Sequence, residues 1–428
     1  MNGTLCIRGP KRDYDDWGLE GWSGEEMYKY MAKSETFHGK EWFEHSTVEG
    51  MHGYEGPLHV EPHDLAPISK RVMQSYQDAG LSLYQDMFTT GETSRGCGHA
   101  PRTIYEGNRS VAADFVADRA RWPNLDIQFN ATVDCIGFDR TSEGGGRPRA
   151  RRVHVLLKDG TRKIFQASKE IIVSGGAYCS PPILQRSGIG RKADLEALGI
   201  EVVQDLPGVG ENLLDHVLVG TCYEVNDTSL TRDQEIYPEG ALAKAFNAYG
   251  KDRSGVLSIF PFGAFAYTRL DERLADHPLW KSPSADGRDA MGLTQEQPNI
   301  EYWNTECYGG PPNWKDFPVD GRAAFFMVTL LLNGQSAGTV KVKSKDPMVN
   351  PEVDHRYLEH PLDSVVLAEG VRFANEMVMK GSGTRDVIKG AWPENLTHHQ
   401  MDEREAWVEY VRENMVTCEC LPPSMQPF

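Results

Sequence analysis

Hydrophobic and polar residues alternate in two neighbouring stretches of the chain, LDIQFNATVDCIGFD (125–139) and RVHVLLKDGTRKIFQA (152–167). This period of two is typical of β-strands with one buried face. Asp159 and Gly160 fall where a hairpin turn is expected. The polar stretch SEGGGRPRARR (142–152) separates the two segments. The pattern therefore predicts a small antiparallel meander.

Continuous apolar runs predict elements that are buried on all sides. AAFFMVTLLL (323–332) is much shorter than the ~20 residues of a membrane helix and predicts a buried strand. LDSVVLAEGVRFANEMVM (362–379) predicts a long helix, and the alternating GTVKVKSKDP (338–347) predicts a strand. IIV (171–173) is β-branched throughout, as in a fully buried parallel strand.

The run EIIVSGGAYCSPPILQRSGIG (170–190) has the order strand, glycine turn, helix. Ser174, Gly175 and Gly176 follow the predicted strand, Pro181 suits a first helical turn, and Gly188 suits a helix stop. Glycines at the carboxyl end of a parallel strand let a ligand approach the backbone closely. The same spacing also fits a tight β–α connection that binds nothing, and both interpretations stay open on spacing alone.

Two other glycine groups do not match a dinucleotide fingerprint. Gly188 to Ala193 follows a predicted helix, and the run that begins at Gly208 has Leu213 at its last position. A fingerprint needs a strand, the glycines and a helix in that order. Both groups are therefore predicted to be structural turns, and His216 to be a hydrogen-bonded loop histidine.

Composition narrows the possible partners. The 428 residues suffice for two or three domains, and the net charge of −17, from 45 basic and 62 acidic side chains, disfavours nucleic acid. The eight cysteines include no CxxC pair, so neither a zinc site nor a disulfide framework is expected. No membrane span is predicted. The first residues show no apolar signal-peptide core, and the localisation stays unknown. The oligomeric state is also unknown.

Several stretches, in order along the chain, resemble one enzyme family. GAYCSPPILQRSGIG (176–190) and LPGVGENLLDH (206–216) are similar to consecutive segments of the glucose-methanol-choline (GMC) oxidoreductases. The first seventeen residues, RTIYEGNRSVAADFV (102–116) and GTVKVKSKDPMVNPEVDHRYLEHPLD (338–363) match further family stretches. The resemblance implies FAD as cofactor and hydride transfer from the CH–OH group of a small-molecule alcohol or sugar-like substrate.

The resemblance also implies a fold class and a domain order. We expect a mixed α/β protein with an incomplete Rossmann-like FAD-binding domain and a second, substrate-binding domain built on an antiparallel sheet. The expected divisions are residues 1–217 for the FAD-binding region, 218–333 for the substrate-domain region and 334–428 for the C-terminal region.

Cofactor-binding residues are carried over from the resemblance by position. Asn2 and Gly3 would lie beside the isoalloxazine ring, and Val133 would meet the adenine through its backbone. Ser174 to Gly176 would lie near the cofactor at the strand end. For Val133, an ordinary core valine is an equally good interpretation. No metal ligand is implied.

Two family segments are missing from the sequence as it stands. The GxGxxG unit should precede Asn2, and the segment with the catalytic histidine should follow Phe428. His398 and His399 precede a helix-like stretch and are poor candidates for the base, so no catalytic residue is assigned. We therefore expect impaired activity. The alternatives are a non-catalytic binding or scaffold protein and an incomplete gene model.

Overall fold

A computed structural model describes residues 3–45, 49–91, 93–117, 122–139, 148–280, 284–309 and 317–418. The chain forms two compact units. The first, here called the sheet unit, comprises Met1–Trp122, His216–Gln335 and Pro361–Phe428. The second, the meander unit, comprises Pro123–Asp215 and Ser336–His360.

The described residues form eleven α-helices, most of them short. In chain order they are α1 (Lys11–Asp15), α2 (Gly24–Ser34), α3 (Pro67–Asp78), α4 (Met87–Thr90), α5 (Ser180–Arg186), α6 (Lys192–Ala197), α7 (Asp233–Ile236), α8 (Ala241–Asp252), α9 (Asp271–Leu274), α10 (Pro361–Lys380) and α11 (Arg404–Asn414).

The same part of the chain forms eighteen β-strands. They are β1 (Glu35–Phe37), β2 (Leu58–Val60), β3 (Gly96–Gly98), β4 (Ile104–Tyr105), β5 (Asn108–Arg109), β6 (Ala131–Asp139), β7 (Arg149–Leu157), β8 (Arg162–Gln166), β9 (Ile189–Gly190), β10 (Gln204–Asp205), β11 (Val217–Val225), β12 (Phe262–Thr268), β13 (Ile300–Thr305), β14 (Ala323–Leu331), β15 (Thr339–Lys341), β16 (Glu352–Asp354), β17 (Ile388–Ala391) and β18 (Val416–Thr417).

The sheet unit is built on a seven-stranded antiparallel sheet. Its strand order is β17-β11-β14-β13-β12-β3, and β18 pairs with β11 beside this path. The central strands β12, β13 and β14 are buried along their whole length. Their residues are mostly apolar or aromatic, which suits strands in the middle of a sheet.

Two helices cover one face of this sheet. Tyr302 donates a hydrogen bond to the Gly370 carbonyl of α10 at 2.9 Å, and Asn304 donates to Ser69 of α3 at 2.9 Å. Tyr223 likewise donates to Asn375 of α10 at 2.8 Å. Every second residue of a strand points to the same face, so their neighbours, among them Trp303, point to the opposite face.

A buried carboxylate ties β13 to the first turn of α3. Glu306 is fully buried and accepts hydrogen bonds from the Ala66 backbone at 2.6 Å, from Ser69 at 3.1 Å and from His63 at 3.0 Å. Arg232 supplies the opposite charge at 2.9 Å. Burial opposes ionisation of Glu306, but these partners outweigh it and lower its pKa to about 2.

A second buried charge network lies near the start of the sheet unit. His52 donates to Glu35 at 2.8 Å and to Asp86 at 3.0 Å, and Arg8 pairs with Glu35 at 2.9 Å. Burial opposes a charged imidazole, but the hydrogen bonds and charges of Asp86 and Glu35 raise the pKa of His52 above its ordinary value. Two carboxylates thus share two buried cations.

The meander unit contains the antiparallel sheet β6-β7-β8 that the alternating segments predict. Helix α5 lies against β6, where Arg186 donates to the Asp134 carbonyl at 2.9 Å. The helix is followed by Gly188 with φ of +83°, which confirms the predicted helix stop. The two-residue strands β9 and β10 pair in parallel, and β15 pairs with β16.

The predicted buried strand at residues 171–173 is wrong. These residues adopt no strand, and Ile172 is 76% exposed. A buried parallel strand needs neighbours on both sides, and no described strand pairs with this stretch. By contrast, β14 and α10 confirm the buried strand and the long helix expected at 323–332 and 362–379. The polar stretch at 142–147 lies outside the described residues.

Within the described ranges, none of the helices has both the length and the apolar character that crossing a bilayer would require.

Candidate active site

A cavity of roughly 790 Å³ lies on the face of the large sheet opposite α3 and α10. We call it the sheet-face cavity. It belongs entirely to the sheet unit, and residues from its three chain segments contribute. Its main lining side chains are Leu5, Ile7, Asp13, Asp16, Trp17, His216, Phe262, Tyr267, Arg288, Gln297, Glu301, Trp303, Leu330 and Leu332.

Three neighbouring strands supply the floor of the cavity. Glu301 and Trp303 are two residues apart on β13 and therefore point to the same face. Tyr267 of β12 and Leu330 of β14 are the direct cross-strand partners of Glu301. Trp303 stacks on Phe265, with ring centroids 5.8 Å apart. The register between distant chain segments thus places a carboxyl, a phenol and an indole side by side.

The rim carries an ion pair and an acidic side chain. Arg288 holds Asp16 through two hydrogen bonds of 2.9 and 3.1 Å. The Asp16 carboxylate has a lowered pKa, mainly because of the hydrogen bond from Arg288. Asp13 accepts a hydrogen bond from Gln297 at 2.7 Å, and burial raises the pKa of Asp13.

Glu301 is the unusual member of the floor. It is 9% exposed, and within the described part of the chain its carboxyl has no hydrogen-bond or ion-pair partner. Burial alone raises the pKa of Glu301 to about 8. The indole Nε1 of Trp303 also lacks an acceptor among the described residues. Buried polar atoms are nearly always satisfied, so both groups are unusual features of this floor.

The structure places the predicted cofactor residues in both units. Gly3 lines the sheet-face cavity, together with Thr4 and Leu5. Asn2 lies outside the described residues. Of the two residues predicted beside the flavin ring, Gly3 is therefore the one that the structure places in the cavity wall.

The other predicted positions belong to the meander unit. Val133 lies half-buried on β6, and its carbonyl accepts a hydrogen bond from Arg186 at 3.3 Å. Ser174, Gly175 and Gly176 form an exposed segment ahead of α5, and Gly176 has φ of +81°. Cofactor binding by these residues stays a prediction.

The two C-terminal histidines have structural contacts. His398 is buried, bonds the Cys222 carbonyl through Nε2 at 2.9 Å, and burial lowers its pKa to about 4. His399 accepts a hydrogen bond from the Ala391 backbone at 3.1 Å. Neither residue lines the sheet-face cavity.

Sequence reasoning did not single out Glu301. The sequence feature that could have identified Glu301 is its position as the single carboxylate in the strand IEYWNT, all of which is buried. An ionisable side chain at such a position is rare unless it has a partner.

Comparison with solved structures defines the fold. A variant of the formate oxidase of Aspergillus oryzae RIB40 superposes with a TM-score of 0.82 at 24% identity, over 97% of this chain and 71% of that one. An FAD-dependent oxidoreductase from Chaetomium thermophilum gives a TM-score of 0.79 at 22% identity, over 99% and 76%. The chain therefore has the mixed α/β fold of these flavoprotein oxidoreductases, including the large antiparallel sheet.

Sequence comparison assigns the family. The GMC oxidoreductase models match residues 1–218 and 334–419, and the chain belongs to the GMC oxidoreductase family. An oxygen-dependent choline dehydrogenase from Paraburkholderia phytofirmans is 29% identical, over 88% of this chain and 61% of the relative. One from Pseudomonas putida is 28% identical, over 98% and 69%. The chain thus spans about two thirds of the length of these relatives.

FAD is the cofactor of this family. Gly3, the position predicted beside the flavin ring, lies in the wall of the sheet-face cavity. Within the described ranges, no strand, glycine loop and helix follow one another in the order of a dinucleotide fingerprint. The described residues therefore do not include that pyrophosphate-binding element, and ring binding beside Gly3 stays a prediction.

Proposed function

We propose that this protein is a flavin-dependent oxidoreductase that oxidises the CH–OH group of a small alcohol or sugar-like donor. The observation that carries the proposal is the sheet-face cavity, which combines the position predicted beside the flavin, Gly3, with the polar floor formed by Tyr267, Glu301 and Trp303. FAD, when bound, supplies the hydride acceptor. The names of the curated relatives, choline dehydrogenases, support an alcohol donor.

The residues of the cavity have separable roles in this proposal. The apolar and aromatic wall formed by Leu5, Phe262 and Leu330 excludes water from the donor, which strengthens electrostatic interactions inside. Trp303 contributes aromatic surface to the floor, and Glu301 offers a hydrogen-bonding carboxyl. Such a site orients the CH–OH group, which is the protein's part of flavin chemistry.

The test is the absorbance spectrum of the purified full chain, followed by dye reduction with a panel of small alcohols. A yellow protein with flavin bands and alcohol-dependent dye reduction is expected. A folded, colourless protein that neither takes up added FAD nor reduces dye would overturn the proposal. That outcome favours the alternative of a non-catalytic binding or scaffold protein.

A matched pair of glycine variants tests the cavity wall. Cβ atoms at Gly3 and at Gly39 would meet protein atoms only at ordinary distances, 3.7 and 3.6 Å, so neither alanine should disturb folding. Gly3→Ala is expected to weaken FAD binding at least several-fold in a titration, because in this proposal the ring would lie against that backbone. Gly39→Ala, which lies outside the cavity lining, should leave FAD binding unchanged.

A further inference from the structure

Two histidine side chains of the sheet unit face each other at the protein surface. Nε2 of His38 lies 2.8 Å from Nδ1 of His59, so one ring donates a hydrogen bond and the other accepts it. His38 is half-buried and His59 is exposed, and their ring planes are inclined by only 13°. Neither histidine lines the sheet-face cavity, and the proposed oxidation uses neither of them.

Backbone and ring contacts hold the two histidines in place. His38 follows β1, and its backbone N–H donates a hydrogen bond to the Val60 carbonyl at 2.8 Å. His59 lies in β2, and its backbone N–H donates to the Ser110 hydroxyl at 3.0 Å. The His38 ring also stacks on Tyr105, with centroids 3.5 Å apart and planes inclined by 8°. Because β1 and β2 pair in parallel, the fold itself brings the two imidazoles together.

The distance between the two nitrogens suits two neighbouring ligands of one metal ion. Imidazole nitrogen binds divalent transition metals at about 2.0–2.1 Å. Two such bonds at a right angle place the nitrogens about 3.0 Å apart, whereas a tetrahedral angle places them about 3.4 Å apart. The observed 2.8 Å is closer to the first value. Square-planar and tetragonal coordination, with right angles between neighbouring ligands, is typical of Cu²⁺ and Ni²⁺.

The charges around the pair also favour a cation. Burial, followed by the charge of His59, lowers the pKa of His38, while the charge of Glu106 opposes this shift. A lowered pKa favours the neutral imidazole, which is the form that binds a metal. Glu106 also raises the pKa of the neighbouring Tyr105 phenol, so its carboxylate places negative charge beside the two rings.

We propose that His38 and His59 together bind one Cu²⁺ or Ni²⁺ ion, through Nε2 of the first ring and Nδ1 of the second. The ion replaces the hydrogen bond between the rings. Each neutral imidazole then carries its proton on the nitrogen that faces away from the ion, so no proton is gained or lost overall. Among the described residues, no group of three or more histidine, cysteine or acidic side chains is placed to hold a metal ion. Water therefore completes the coordination, and the ion links β2 to the residue that follows β1.

The experiment is calorimetric titration of the full chain with NiCl₂ at a mildly alkaline pH, where histidine is neutral. Ni²⁺ is the probe because, unlike Cu²⁺, it does not oxidise thiols, and Cys179 is an exposed free cysteine. We expect Ni²⁺ to bind, and Mg²⁺, which prefers oxygen ligands, to give no heat of binding at this pair. Failure of the wild-type protein to bind Ni²⁺ would overturn the proposal.

Single substitutions locate the bound ion. His38→Gln and His59→Gln should each weaken Ni²⁺ binding by about tenfold or more, because the loss of even an outer-shell partner of a metal ligand has an effect of that size. His277→Gln is the matched control and should leave the affinity unchanged, since Nδ1 of His277 accepts a backbone hydrogen bond from Leu279 at 3.2 Å. Unchanged affinity in folded His38→Gln or His59→Gln protein would contradict a shared site.

Anomalous diffraction at the nickel absorption edge needs no substitution. Crystals of the wild-type protein grown with Ni²⁺ should show a peak between Nε2 of His38 and Nδ1 of His59. Nickel peaks at other side chains, with none between these two nitrogens, would refute the site. Both measurements are independent of flavin, so this inference and the proposed oxidoreductase can fail separately.

Discussion

Replacing Glu306 by Gln should destabilise the sheet unit by about 3 kcal/mol, the lower end of the range for breaking a buried ion pair. The change preserves the shape of the side chain and removes its charge. The amide group cannot accept from all four donors that now surround the two carboxylate oxygens. Arg232 also loses its buried partner.

The pKa of Glu306 provides a second estimate of how much its ionised form stabilises the fold. Burial raises it, but His63, Arg232 and the Ala66 N–H together lower it from 4.5 to about 2. Each tenfold change in proton affinity is worth about 1.4 kcal/mol, so the ionised form contributes on the order of 3 kcal/mol. Burial lowers the pKa of His63, while its hydrogen bond to Glu306 and the charge of Glu306 oppose that shift.

The sign of the pH dependence follows from the lowered pKa. The stabilisation is fully present above pH 4.5 and is lost as the pH falls through about 2. The difference between wild type and Glu306→Gln should thus be largest near neutrality and shrink in acid, because a protonated Glu306 resembles glutamine.

Urea denaturation followed by circular dichroism measures these differences, with equal m-values required for a valid comparison. Glu235→Gln is the matched control, because Glu235 pairs with the same arginine, Arg232, at 3.3 Å but is 44% exposed. Glu235→Gln should lower the free energy of unfolding by about 0.5 kcal/mol or less. Equal losses for the two variants, or a Glu306→Gln difference that does not change with pH, would refute the reasoning.

Two further changes test the buried network and the packing of the sheet unit. His52→Gln should cost about 3 kcal/mol in urea denaturation, since it removes a buried cation shared by Glu35 and Asp86. Because the pKa of His52 is raised, this stabilisation is present below pH 6.5 and is lost as the pH rises through the raised value. Gly263→Ala should destabilise by about 1–3 kcal/mol, because its Cβ would lie 2.0 Å from a buried side-chain oxygen. Gly250→Ala, in α8 with nothing within 4 Å of the new Cβ, should instead stabilise by up to about 1 kcal/mol.

Specific results would contradict these two expectations. A His52→Gln difference that grows from pH 6 to pH 9 would show that the imidazole is buried in its neutral form. Lowered thermal midpoints for both glycine variants, by similar amounts, would show that the close approach at Gly263 does not limit packing there.

Local pattern determined much of the secondary structure. The alternation at 125–139 and 152–167 gave the meander of β6, β7 and β8, because one face of each strand must meet an apolar neighbour. The uninterrupted apolar run at 323–332 gave β14, which is buried throughout. Gly188 ends α5 with a positive φ that glycine adopts readily. These features depend on residues that are close together in the sequence.

Features that depend on distant partners were decided by the tertiary structure. The stretch at 171–173 has the composition of a buried strand, but a strand needs hydrogen-bonding neighbours, and composition does not provide them. Only the register of β12, β13 and β14 places Tyr267, Glu301 and Leu330 side by side over a cavity. The family resemblance of the sequence identified Gly3 as a cofactor-binding position. Which face of β13 stays open, however, depends on where α3 and α10 pack. Long-range packing therefore decided the site, because a strand presents two faces and its own residues cannot specify which one is covered.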